Sequence, residues 1–200
     1  LLLSHEQGRP WLVDAGAALE LLCSRPPLLQ RTSCDGQLGF DVAVFQSIKT
    51  DGVSKSVIDF FSGKSEEELI RALMLSPLTV IYIKQSLGRL SALCGCVVAA
   101  TGSSCGITWL MGGNYNQVAF AVQNMIANLT GMICDGAKPS CALKVTTGVS
   151  TAVLSAMMAM EDRCVTSVEG IIDEDVDQSI RNLTRIGSQA MNETDKMVLD

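Results

Sequence analysis

The sequence predicts an all-α fold, a helical domain built around a buried central hairpin rich in small residues. Three observations predict it. Of the 200 residues 48% are hydrophobic but only 4% aromatic, so Leu, Ile, Val, nine Met and many small side chains must fill the core. That balance favours close-packed helices over a β-sandwich, which leans on aromatic and β-branched residues. Second, no Asp, Glu, Lys or Arg occurs between Arg89 and Asp135, so this stretch belongs to the interior. Third, apolar residues recur at helical spacing on both sides of it.

The elements follow in order. Residues 1–45 read poorly: WLVDAGAALELLC is an amphipathic helix ended by Arg25-Pro26-Pro27, and RTSCDGQLGFD carries turn chemistry. Residues 1–61 are therefore set apart as a divergent or truncated N-terminal segment, and 62–200 as the helical domain. Within that domain Ser65 is placed to cap a helix whose first turn holds Glu66, Glu67 and Glu68, where negative charge suits the helix dipole. Leu69, Ile70, Leu73 and Met74 continue it, Pro77 is expected to end or kink it, and 78–87 to resume as a second apolar helix carrying Lys84. A Lys beside an apolar face usually reaches out to water.

Small residues then crowd together through Ser91, Ala92, Gly95, Ala99, Ala100, Gly102, Ser103, Ser104 and Gly106, a composition that lets two backbones approach closely. Gly112-Gly113 breaks the run, and a second uncharged helix is predicted over 115–133, with Cys134 at its stop. The run is long enough to raise a membrane span, but its Gly, Ser, Thr and Asn content favours a buried helix pair. Pro139 suits the first position of a further helix over 139–160, which puts Cys141 in a first turn, where unpaired N–H groups favour a thiolate. The tail predicts a helix with acidic residues at its front and Arg181 and Arg185 toward its end, then another beginning at Asn192.

The net charge of −6 and the absence of a basic patch argue against nucleic acid or an anionic membrane surface as a partner. The opening LLLSHEQGRPW lacks the basic and long apolar regions of a signal peptide, so a cytoplasmic location is expected, with the eight cysteines reduced or metal-bound. Cys134 and Cys141, seven apart, with Cys94 or Cys96 about forty residues earlier, do not match the short Cys-x-x-Cys pairs of zinc sites. Any single cysteine is more often a small buried hydrophobe than a ligand, and Cys23, Cys34 and Cys164 are left as such. Cys94, Cys96, Cys134 and Cys141 stand out because each lies beside glycine or at a helix end. Cys105 is a weaker fourth candidate. Asp135 and Lys138 share the loop with two of these thiols and supply polar groups for a substrate.

IYIKQSLGRLSALCGCVVAATG, then MICDGAKPSCALKVTTGVSTAV, then NLTRIG with the Met and Thr-Asp that follow, resemble the iron–sulfur-dependent L-serine dehydratase alpha-chain superfamily, most nearly its L-cysteine desulfidase branch. The resemblance implies an all-helical catalytic domain and a [4Fe–4S] cluster held by three cysteines. These correspond to Cys134, Cys141 and a member of Cys94-Gly95-Cys96, with Cys96 preferred because the comparable dehydratase motif ends in Gly-Cys and Cys94 as the alternative. It implies an open iron acting as Lewis acid on the β-substituent of an amino acid while a base takes the α-proton. The activity expected is β-elimination on L-cysteine, giving sulfide, ammonia and pyruvate, or on L-serine, giving ammonia and pyruvate. Asp135 and Lys138 are the catalytic candidates in this chain. The family's longer N-terminal half, which supplies a catalytic cysteine in the desulfidase branch, has no counterpart here. Its glycine-rich substrate loop is matched only in part by Ser33-Cys34-Asp35-Gly36-Gln37-Leu38-Gly39. A truncated, non-catalytic homologue acting as a helical interaction module is therefore the rival expectation. A small amino acid is the expected partner, and a homo-oligomer is left open.

Overall fold

A computed structural model describes residues 63–88, 91–136 and 141–199. The readings of the N-terminal helix, of Cys23 and Cys34 and of the partial glycine loop lie outside the described residues, as do Lys138 and Pro139. The first helix, α1 (Glu66–Leu87), starts where the sequence places it. Ser65 is extended and its hydroxyl accepts the Glu68 N–H, while the Glu68 carboxylate accepts the Ser65 N–H at 2.8 Å. This reciprocal box satisfies two otherwise unpaired donors. The Ser65 N–H also holds the Glu68 carboxyl below its ordinary range.

Pro77 does not end the helix; α1 runs through it to Gly88, where φ of +88° stops the chain. The reason lies in packing. Ala72 and Ser76 before the proline and Val80, Ile83 and Leu87 after it are all buried along one face. Burying both halves against the same neighbour offsets the lost N–H bond.

That neighbour is α2 (Gly95–Leu110), which is buried along almost its whole length and packs against α1, α3 (Tyr115–Leu129) and α4 (Cys141–Met160). A Cβ at Gly102 would sit 2.5 Å from the Ser76 carbonyl oxygen, and one at Gly106 2.8 Å from that of Ala72. The two helices touch backbone to backbone there, and the residue pairing makes them antiparallel. Hydroxyls inside α2 are satisfied within the turn before, Thr101 donating to the Val97 carbonyl and Thr108 to that of Ser104, each at 2.8 Å.

Gly112 turns the chain with φ of +87°, and Asn114 opens α3 with a second capping box through Gln117. The predicted hairpin of uncharged helices is therefore present and central. Its second arm stops four residues earlier than predicted, at Leu129, because the chain beyond leaves the helix to form a bridge. Leu93 and Ile133 pair antiparallel. The Cys94 N–H donates to the Met132 carbonyl at 2.9 Å and the Cys134 N–H to that of Ala92 at 2.6 Å.

Helix α4 runs parallel to α2. The Cys96 thiol donates to the Lys144 carbonyl and the Ser104 hydroxyl to that of Ala152, contacts eight residues apart on both helices. Consequently the C-terminus of α1, the N-terminus of α2, the C-terminus of α3 and the N-terminus of α4 gather at one end of the bundle. The inner face of α4 is made of small residues, with Ala152, Ala156 and Ala159 fully buried. Residues 143–160 are long and apolar enough by composition to cross a membrane, but this inner face packs against α2 and α3.

The tail closes over α1 and α3. Asp175 caps α5 (Val176–Arg185), which carries Arg185 in its last turn as predicted. A π-helical turn (Ile186–Ala190), which the sequence did not signal, leads into α6 (Asn192–Leu199). Buried Gln123 and Asn124 of α3 donate to the carbonyls of Asp173 at 2.6 Å and Arg163 at 3.0 Å, and the Tyr82 hydroxyl of α1 donates to Asp177 at 2.9 Å. These bonds fix the long connection before α5 and join α5 to α1.

Candidate metal centre

Cys94, Cys96, Cys134 and Cys141 all lie toward the converging end of the bundle. Cys94 is the residue that opens α2 and is buried; Cys96 lies in the first turn, half-buried. The bridge sets Cys134 alongside the start of α2, because residues 92–94 and 132–134 exchange main-chain hydrogen bonds. Cys141 begins α4, and its thiol donates to the Gly136 carbonyl at 3.6 Å, across the loop from Cys134. Among the described residues the cysteines are reduced thiols with no disulfide between them.

The electrostatics register the gathering. Burial pushes the Cys94 thiol up; the neighbouring sulfurs of Cys134 and Cys141 add to this, while the Cys96 N–H and the Lys144 ammonium oppose it. Burial also pushes Cys96 up to about 12, reinforced by Cys94 and Cys141. The N-termini of α2 and α4 lie at this end and offer positive dipole ends to a negatively charged occupant.

Asp135 extends from the same loop and is about half exposed, ion-paired at 2.9 Å to Lys144. The Lys144 ammonium also donates to the Ile133 carbonyl at 2.7 Å. Its side-chain bond to Asp135 raises the Lys144 pKa further. Lys144 is the residue that sequence reasoning missed, although its signal was visible: within 141–160 it is the only charged residue, one turn after Cys141.

The other cysteines do not join the group. Cys105 lies about 13 Å along the α2 axis from Cys96, fully buried against α1, with its thiol pushed up to about 12 by burial. Cys164 donates to the Gln123 side-chain oxygen at 3.2 Å, in the connection before α5. Among the described residues no three His, Cys, Asp or Glu side chains close on a point as the ligands of one metal ion do. A polynuclear cluster places its thiolates on separate metal atoms and so suits a looser group of sulfurs. The donor set at this end, all sulfur and ringed by helix N-termini, has the chemistry of iron–sulfur ligation rather than of a hard cation.

A family model described as the serine dehydratase alpha chain matches residues 52–200. A UPF0597 protein of Bacteroides thetaiotaomicron is 98% identical over 139 residues, which cover 70% of this chain and 32% of that protein. One from Porphyromonas gingivalis is 67% identical over 134 residues, 67% of this chain and 31% of its own. The UPF0597 protein YhaM of Shigella boydii is 39% identical over 207 aligned positions, 95% of this chain and 48% of that one. The chain thus spans about a third of the length of the Bacteroides relative and about half that of the Shigella one. No solved structure matches it.

Proposed function

The chain belongs to the serine dehydratase alpha-chain family, and from that premise we propose that its cysteine end holds a [4Fe–4S] cluster serving β-elimination from L-cysteine or L-serine. The observation that carries this reading is the meeting of thiols from three separate elements at the helix N-termini. Cys134 and Cys141 are two of the proposed ligands. For the third, Cys94 is favoured over the Cys96 expected from the motif. The Cys94 sulfur lies near both Cys134 and Cys141 and takes the Cys96 N–H, while Cys96, near Cys94 and Cys141, takes that of Gly148. Cys96 also gives its S–H to the Lys144 carbonyl at 3.1 Å, an acceptor that would repel a thiolate.

Bound by three cysteines, such a cluster supplies a Lewis-acidic iron for the leaving hydroxyl or thiol. The protein's own contribution is to gather the thiolates at the edge of the core, with Cys94 inside it, and to present N–H dipoles that favour the substrate carboxylate. The Asp135 carboxylate, tied to Lys144, orders the loop that carries Cys134. The acidic net charge fits a small-molecule substrate rather than nucleic acid.

The test is anaerobic reconstitution followed by iron and acid-labile sulfide analysis. Cys134→Ser and Cys141→Ser are each expected to abolish uptake, Cys94→Ser to abolish it and Cys96→Ser to spare it. A wild-type chain that takes up no iron, or a Cys134→Ser variant with an unchanged cluster, refutes the reading. The rival reading is a non-catalytic homologue acting as a helical packing or interaction module. Pyruvate release from L-cysteine or L-serine by the reconstituted chain separates the two.

A further inference from the structure

Lys144 contacts the cysteine end through both its ammonium and its carbonyl. Its ammonium reaches across from α4 to the loop, donating to the Ile133 carbonyl at 2.7 Å and pairing with Asp135 at 2.9 Å. These two partners flank Cys134 on either side. Its own carbonyl takes the Cys96 thiol at 3.1 Å, which ties the first turns of α4 to those of α2. One turn earlier on the same helix stands Cys141.

We propose that Lys144 is a positioning residue that latches the Cys134 loop to α4 and so sets Cys134 against Cys94 and Cys141 in the metal-free protein. This inference rests on the iron–sulfur reading for its purpose but not for its geometry. The bridge at Leu93 and Ile133 is a single pair, and it alone gives the loop little rigidity. Hydrogen bonds to a charged donor are about twice as strong as neutral ones, and this donor makes two at once, to Ile133 and to Asp135. The latch thus orders the segment that the bridge merely starts.

The experiment has two arms on the 200-residue chain. In the metal-free protein, alkylation of Cys134 is followed by peptide mass spectrometry for wild type, Lys144→Met, Lys144→Arg and Asp135→Asn. In the reconstituted protein, loss of iron to an excess of chelator is timed for the same set. Lys144→Met is expected to speed both Cys134 alkylation and iron loss by about 10-fold or more, the range seen when an outer partner of a metal ligand is removed. Lys144→Arg keeps a cation and donors and is expected to stay near wild type. Asp135→Asn, which leaves the Ile133 bond, is expected to fall between and decides the matter should Lys144→Met fail to fold. Rates within twofold of wild type in Lys144→Met, or in Asp135→Asn if that is the variant left, would overturn the latch. If the wild-type chain takes up no iron, the cluster reading fails while the alkylation arm still judges the latch.

Discussion

At the scale of single residues, chemistry divides the thiols more sharply than counting them does. Cys105 and Cys96 are both held as neutral S–H groups, pushed up to about 12 chiefly by burial. A folded-state pKa above the unfolded value contributes stability that is whole below the unfolded thiol's range, about 8.5. That contribution is lost as pH rises toward 12. The urea midpoint is therefore expected to hold level near neutrality and to fall steeply above about pH 9. Cys105→Ala should flatten part of that fall while costing about 1 kcal/mol at neutral pH, as for one buried heavy atom. A midpoint that rises above pH 9 would contradict the assignment. The sequence grouped Cys94, Cys96, Cys134 and Cys141 because each lies beside glycine or a helix end, and all four lie at one end of the bundle. The motif preferred Cys96 to Cys94, and the contact that bears against it, the Lys144 carbonyl of α4, lies far away along the chain.

At the scale of elements, the fold depends on how near α1 and α2 come to one another. Gly102 and Gly106 allow contact with the Ser76 and Ala72 carbonyls, and nothing flexible stands in between to give way. Gly102→Ala is expected to destabilise by about 1–3 kcal/mol, the usual cost of overpacking. Gly95→Ala meets nothing within 4 Å and serves as the control, neutral or up to about 1 kcal/mol stabilising from helix propensity. Equal midpoints for the two variants in urea unfolding would show that the crossing is looser than described. Helix existence and the cap at Ser65 were legible because each is a local signal repeated along the chain. The passage of α1 through Pro77 was not, since the proline is local while the face that overrides it, from Ala72 to Leu87, is recognised only against α2. The bridge at Ile133 was illegible for another reason: one residue pair has no period to detect, and its partner is forty residues away.

At the scale of the whole molecule, α4 poses the sharpest question, because 143–160 satisfies the composition of a membrane-crossing helix. Its two faces answer differently. Ala152, Ala156 and Ala159 pack inward, with the Ser104 hydroxyl bonded to the Ala152 carbonyl, whereas Leu143, Leu154 and Met157 face outward. A parallel α2 and α4 that share one end with α1 and α3 also need all four helices in one medium, and α1 begins with the exposed glutamates Glu66 and Glu67. The bundle is accordingly expected to fold in water with α4 as a surface helix. Replacing Leu154 and Met157 together by Lys tests this, since both positions are exposed and lie toward the end of the apolar stretch. A water-facing helix should tolerate the pair within about 0.5 kcal/mol per site, and the variant should purify without detergent with an unchanged helical spectrum. In a spanning helix each lysine costs up to about 3 kcal/mol near the centre and less toward the ends, enough to expel the segment. A wild-type chain that sediments with membranes, and a double variant that is released from them, would reverse the conclusion and leave the parallel α2 and α4 without a common solvent.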